Sequence, residues 1–142
     1  MEPGQLVEQV VSTVQGSLAP QQQNLVPAII ESLRELLSTF VQSDDYARLR
    51  SAQILGREVP FVMPWGERQV MEGVIDLIYR LDGRIWIADY KTDAVSVEAV
   101  RTRAEMYRRQ AEIYKMAVQQ SMGIPSTMFQ FLFLRPGVAV EI

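Results

Sequence analysis

The hydrophobic positions of this 142-residue chain change period twice. Val26, Ile29, Ile30, Leu33, Leu36, Leu37, Phe40 and Val41 recur at steps of three and four, which predicts an amphipathic helix. Pro27 suits its first turn and Asn24 is placed to cap it. Upstream, residues 5–15 predict a short helix ended by Gly16 and Pro20, and Gln21-Gln22-Gln23-Asn24 reads as a linker. Ser43-Asp44-Asp45 has the form of a cap on a further short helix reaching Gln53.

The period then drops to two. Arg57–Met63 predicts a strand broken by Pro64-Trp65-Gly66. Gln69–Leu81 and Arg84–Lys91 are longer strands rich in Val, Ile, Tyr and Trp, joined by Asp82-Gly83, a strong signal for a two-residue type I′ turn. A long helix is predicted from Val97 to Met122, ended by Gly123 and Pro125. Thr127–Leu134 is a continuous apolar run suited to a buried strand, and Pro136-Gly137 turns it into a last strand, Val138–Ile142. The order is helix, three-strand meander, helix, strand, short strand. That is an α/β chain with a mixed sheet flanked by helices, in which the long helix crosses over and makes strands three and four parallel.

Composition narrows the chemistry. Hydrophobic residues make up 48% and charged residues 22%, a globular balance in one domain's length of chain. With no cysteine there are no disulfides, zinc ribbons, iron–sulfur clusters or thiol nucleophiles. With no histidine there is no Ser-His-Asp triad or HExxH site. No P-loop appears, so ATP hydrolysis is not expected of this chain. The net charge of −3 provides no global attraction to nucleic acid. No apolar run is long enough to span a bilayer, no secretory signal opens the chain, and the expected location is the cytoplasm.

The Asp82-Gly83 turn sets a register in which Ile78 faces Ile87, Leu77 faces Ala88 and Asp76 faces Asp89. Counting outward from the turn, the last pair is of the non-hydrogen-bonded kind, with Cα atoms about 4.5 Å apart. Two carboxylates so placed in an apolar hairpin repel each other and need compensation. A shared proton, a cation side chain between them, or a bridging divalent ion such as Mg²⁺ or Mn²⁺ would each supply it. Lys91 follows Asp89 by two and shares its face, and Glu72 lies on the Asp76 face by the same alternation. These placements assume that no β-bulge intervenes. On the following helix, Arg101, Arg103, Arg108, Arg109 and Lys115 are candidates for phosphate contact, although a solvated helix face has the same look.

Gly73-Val74-Ile75-Asp76 followed by Asp89-Tyr90-Lys91-Thr92 resembles the GxxD…DYKT signature of the PD-(D/E)xK nucleases. The branch it resembles is the RecB-like nuclease domain, found at the C-terminal end of AddA and RecB helicase–nucleases. Glu58-Val59-Pro60-Phe61 is similar to the family's E-x-P-F strand, and Gln110 to Tyr114 to its QxxxY helix motif. The likeness covers residues 25–142, with 1–24 left as an N-terminal helical segment and linker. It implies a restriction-endonuclease-like α-β-β-β-α-β core. It implies Mg²⁺ or Mn²⁺ held by Asp76, Asp89 and the Tyr90 carbonyl, with Lys91 at the reacting water or phosphate. Glu58, Gln110 and Tyr114 would support the site, and Arg101, Arg108 and Arg109 remain the candidates for DNA contact.

The implied function is metal-dependent DNA hydrolysis, as the exonuclease of a helicase–nuclease in double-strand-break repair and recombination. Its partners would be DNA and a helicase motor on the same longer polypeptide or on a separate chain. One departure stands out: the branch carries a histidine on an N-terminal helix, and this chain has none. Either the chain is a piece of a longer polypeptide, or Glu31 or Glu35 takes that place. The same gap suits an alternative, a catalytically weak or inactive module used for DNA guidance or subunit contact. A third reading is a carboxylate-only hydrolase of another phosphate ester.

Overall fold

The computed structural model describes residues 2–142 (of Gln23, the backbone only); Met1, counted above in the N-terminal segment, lies outside them. Five strands form one sheet in the order β1-β2-β3-β4-β5: β1 (Gln53–Trp65), β2 (Gln69–Leu81), β3 (Arg84–Lys91), β4 (Met128–Phe133) and β5 (Val138–Glu141). All neighbours are antiparallel except β3 and β4, which run parallel, as the crossover requires. The helices are α1 (Pro3–Ser17), α2 (Val26–Val41), α3 (Asp44–Ser51), α4 (Val100–Met106) and α5 (Arg108–Met122).

Each sheet face has its own apolar cluster. Ile78, Ile87, Phe129, Phe131 and Phe133 meet Val100, Ala104, Ala111 and Val118 of α4 and α5. On the other face Leu77, Tyr79, Trp86, Ala88 and Leu132 meet Leu49 of α3, with Phe40 of α2 packed beside them. β4 is apolar but for Gln130 because both its faces are covered. One polar contact is sealed inside: the buried Gln130 amide donates to the Tyr79 hydroxyl at 2.7 Å. A third cluster, of Val7, Val11, Ile30 and Val41, fastens α1 to α2.

Several boundaries differ from those predicted. The glutamine run is a 3₁₀ segment, Pro20–Leu25, and not an open linker. It runs straight into α2, whose N-cap Leu25 is already helical (φ −94°, ψ −9°), so Asn24 does not cap it. Ser43 does cap α3, accepting from the Tyr46 N–H, but α3 stops at Ser51. The predicted single helix from Val97 begins with a 3₁₀ turn, Val97–Ala99, and is divided at Tyr107 (φ −101°, ψ 3°). No Gly or Pro marks that break.

β1 also starts earlier and ends later than expected, running through Pro64 and Trp65. It is one of the two edge strands, paired only with β2. Proline is tolerated at an edge when its missing N–H would have faced outward. Beyond the end of β3, β1 and β2 continue together as a two-stranded ribbon, with Val62, Val70 and Val74 exposed on it.

Two irregularities bend β1. The register slips by one residue at Leu55, and Glu58 holds a left-handed backbone, φ 49°. At Glu58 both β1 and β2 exchange faces. Leu77 belongs to the α3 side whereas Ile75 and Val59 pack on the α5 side. The paired register passes from Arg57–Leu77 to Val59–Ile75, so Glu58 and Asp76 stand level at the crossover. Simple alternation therefore fails for β2 below Asp76. Glu72 is correspondingly out on the ribbon, opposite Val62 and exposed.

Gly73 explains how α5 closes on that ribbon. A Cβ there would lie 2.8 and 2.9 Å from two ring atoms of Phe61 and 3.6 Å from Tyr114. Phe61 and Tyr114 meet edge to face at 5.5 Å between centroids. We expect Gly73→Ala to displace both rings and lower stability by about 1–3 kcal/mol in chemical denaturation. An unchanged midpoint would show that the ring pair is not constrained there.

Candidate active site

The β2–β3 ladder follows the predicted register to Leu77–Ala88 and stops there. Asp76 and Asp89 are therefore not members of the ladder, in contrast to the opposed pair expected. The reason is local: the Tyr90 N–H donates to Asp76 Oδ2 at 2.8 Å, and so to a side chain in place of a β2 carbonyl. β3 keeps its other partner, with Asp89 beside Phe131, Tyr90 beside Leu132 and Lys91 beside Phe133 of β4. The strands thus part at the acids, and the Asp76 carboxylate occupies the gap.

Asp89 is buried, and the Lys91 Nζ lies 2.6 Å from its Oδ2. The two form a close, buried ion pair that favours the ionised acid. Burial pushes the Asp89 carboxyl above its ordinary pKa; Lys91 opposes this and the Asp76 charge adds to it. Lys91 itself is held from several sides. Its ammonium donates to Gln110 Oε1 at 2.9 Å and sits 4.1 Å from the centre of the Tyr107 ring and 5.4 Å from that of Phe131. The Gln110 amide in turn donates to the Tyr114 hydroxyl at 3.0 Å. One turn of α5 thereby connects Tyr114, Gln110, Lys91 and Asp89.

Other candidates stand apart. Glu58 is level with Asp76 but exposed. Among the described residues no three His, Cys, Asp or Glu side chains group as a metal site, so none of Glu58, Glu72, Glu31 or Glu35 completes one with the two aspartates. Glu31 is paired with Arg34 on the exposed side of α2. Arg103 is engaged by Asp93 at 2.8 Å and Arg108 by Glu105 at 2.6 Å. Arg101 and Arg109 are exposed, with no ion pair among the described residues.

Two residues join the site that motif and spacing did not single out, Asp93 and Tyr107. Asp93 accepts from the Tyr107 hydroxyl at 2.9 Å as well as from Arg103. The helix break at Tyr107 therefore does two things: it ties α4 to the segment after β3 and lays an aromatic face against Lys91. An acid two residues beyond the lysine was the only signal for them.

The donor set suits a hard divalent cation. Two carboxylates and a backbone carbonyl at a strand end are oxygen ligands of the kind Mg²⁺ takes with additional waters. Asp89, buried and with the Asp76 charge acting on it, is where such an ion would relieve the cost of holding two negative charges together.

A five-stranded mixed sheet between helices, with these acids and this lysine where the meander ends, is the architecture of one nuclease class. The match to the PD-(D/E)XK nuclease superfamily extends over residues 2–138, and the chain belongs to that superfamily. It is also similar to the ATP-dependent helicase/nuclease subunits of Staphylococcus aureus strains JH9, JH1 and Mu3. Each is 32% identical in a 93-position alignment that covers 58% of this chain and 8% of the relative. The chain thus spans about a twelfth of the length of the curated relatives it matches. No helix among the described residues is long and apolar enough to cross a membrane.

Asp93 supplies a test of the support around Lys91. Burial opposes its charge, but the Tyr107 hydroxyl and Arg103 outweigh this and hold its carboxyl below the ordinary range. A depressed carboxylate stabilises the fold above its unfolded pKa, and that contribution disappears as pH falls through the folded value. Wild type should therefore lose stability relative to Asp93→Asn as pH drops below about 4. Parallel acid melting curves for the two proteins would remove Asp93 as a clamp on Tyr107.

Proposed function

We propose that this chain is a metal-dependent deoxyribonuclease domain that hydrolyses phosphodiester bonds at Asp76, Asp89 and Lys91. The observation that carries the reading is the buried Asp89 carboxylate where β2 and β3 part, with the Asp76 charge acting on it and the Lys91 ammonium 2.6 Å away. Asp76, Asp89 and the Tyr90 carbonyl would hold Mg²⁺ or Mn²⁺. Such an ion, when bound, polarises the phosphate and lowers the pKa of coordinated water.

The chain's own groups do the rest. Lys91 places a positive charge at the site, and its position is set by Gln110 and by the Tyr107 face, so it needs no rearrangement as charge develops on the phosphate. Tyr114 orients the Gln110 amide, which leaves the amide oxygen toward Lys91. These are positioning residues. Arg101 and Arg109 are free to meet phosphates along α4 and α5. Glu58 is assigned a supporting role through its strained backbone opposite Asp76.

The finer reading is an exonuclease working beside a helicase motor in double-strand-break repair and recombination, in the cytoplasm. It is supported by the likeness to helicase/nuclease subunits. With 8% of such a relative represented here, the motor and the repair context are part of the proposal.

Mg²⁺ at a hundred times its Kd should raise the melting temperature by about 5–10 °C. Asp89→Ala should abolish that rise. Chelation should end cleavage of linear single-stranded DNA, and Asp76→Ala, Asp89→Ala and Lys91→Ala should each reduce it at least about 100-fold. Circular single strands should survive if the enzyme needs an end. A wild type that neither gains stability from Mg²⁺ nor cuts DNA would overturn the reading.

A further inference from the structure

A cavity of about 280 Å³ opens on the α3 side of the sheet, immediately behind the acids. Phe40, Tyr46, Arg50, Arg57, Leu77 and Tyr90 line it. Leu77 and Tyr90 are the chain neighbours of Asp76 and Asp89, so the cavity adjoins the place where β2 and β3 part. Its aromatic wall is built and not incidental. Phe40 meets Tyr46 edge to face at 5.3 Å and Tyr90 at 6.1 Å, holding a tyrosine on either side. Its polar wall carries two exposed guanidiniums, Arg50 and Arg57, and neither has a carboxylate partner among the described residues. The face exchange at Glu58 puts Arg57 here: before the exchange β1 points Arg57 to the Leu77 side, and after it Val59 turns to the other. A chain of net charge −3 thus gathers unpaired cations and aromatic faces in one concavity beside its acids.

We propose that this cavity is a nucleotide subsite, which receives one unstacked base of a single strand against Tyr46 and Tyr90 while Arg50 and Arg57 hold the flanking phosphates. The inference rests on the nuclease reading above and deepens it by assigning the part of the molecule that holds the strand. It adds strand contacts on the sheet face opposite Arg101 and Arg109. Aromatic faces bind bases without regard to sequence, and the arginines supply the salt-dependent part. A paired base in a duplex cannot enter without leaving its stack.

The test separates binding from cleavage. Fluorescein-labelled oligo-dT, its abasic counterpart and a blunt duplex are titrated with the full chain in EDTA at several salt concentrations. Arg50→Ala and Arg57→Ala should each weaken oligo-dT binding about 10-fold and reduce the salt slope by about 0.7. Tyr46→Leu should weaken oligo-dT about 10-fold and leave the abasic strand unchanged. Melting temperatures of the arginine variants verify folding, and Arg57→Lys should recover most of the affinity. Arginine variants that bind like wild type, or a loss seen only in Arg101→Ala and Arg109→Ala, would overturn the subsite and leave the nuclease reading standing. Failure of wild type to cut any DNA with Mg²⁺ would overturn the nuclease reading, and the titrations would still decide the subsite.

Discussion

The Tyr90 N–H has two acceptors within its reach in principle, a carbonyl of β2 and the carboxylate of Asp76, and it takes the carboxylate. Much of the molecule depends on that choice. A ladder continued past Leu77–Ala88 would close the strands over the acids. Because it stops, β2 is free to rotate its faces at Asp76 and to travel on with β1 as a ribbon, and a gap remains between two sheet neighbours. A hydrogen bond to an ionised acceptor is stronger than one between neutral groups, which offsets the ladder bond given up. The left-handed Glu58 across from it lets β1 follow the same rotation.

The lysine is held by the opposite strategy. Asp76 is fixed by backbone, whereas Lys91 is fixed by side chains from α5, β4 and the helix break at Tyr107. Removing one member of a buried charge pair usually costs more than the pair contributes, because the survivor is left unmatched. Here Gln110 and two aromatic faces share the load, so the ammonium retains partners when Asp89 is engaged elsewhere. Phe129, Phe131 and Phe133 in turn form a continuous aromatic row beside β3 and beneath α4 and α5. Packing of this kind positions charge without adding any.

Element type and order were legible because the hairpin carries its own register. Asp82 and Gly83 both adopt positive φ, 50° and 73°, as a type I′ turn demands, and every pair out to Leu77–Ala88 follows. The break at Tyr107 was not legible, since it arises from a hydroxyl reaching Asp93 and not from a helix-breaking residue. Nor was the face exchange at Glu58 and Asp76, since alternation assumes a regular strand. Both features lie at the candidate site, and there local rules give way to tertiary contacts. Gln110 and Tyr114 were recognisable as a pair through their likeness to the QxxxY motif, but their link to Lys91 required the crossover helix to be in place.

The two prolines of β1 have a consequence for the protein's behaviour in concentrated solution. The ribbon formed by β1 and β2 carries solvent-facing valines and an unpaired outer strand, a combination that invites sheet-to-sheet addition between molecules. Pro60 and Pro64 are spaced four apart on that strand, so both present to the same side, and neither has an amide hydrogen. An incoming strand would find carbonyls there but few donors, and zippering could not propagate. The prolines that only an edge strand can hold thus work against the molecule templating itself.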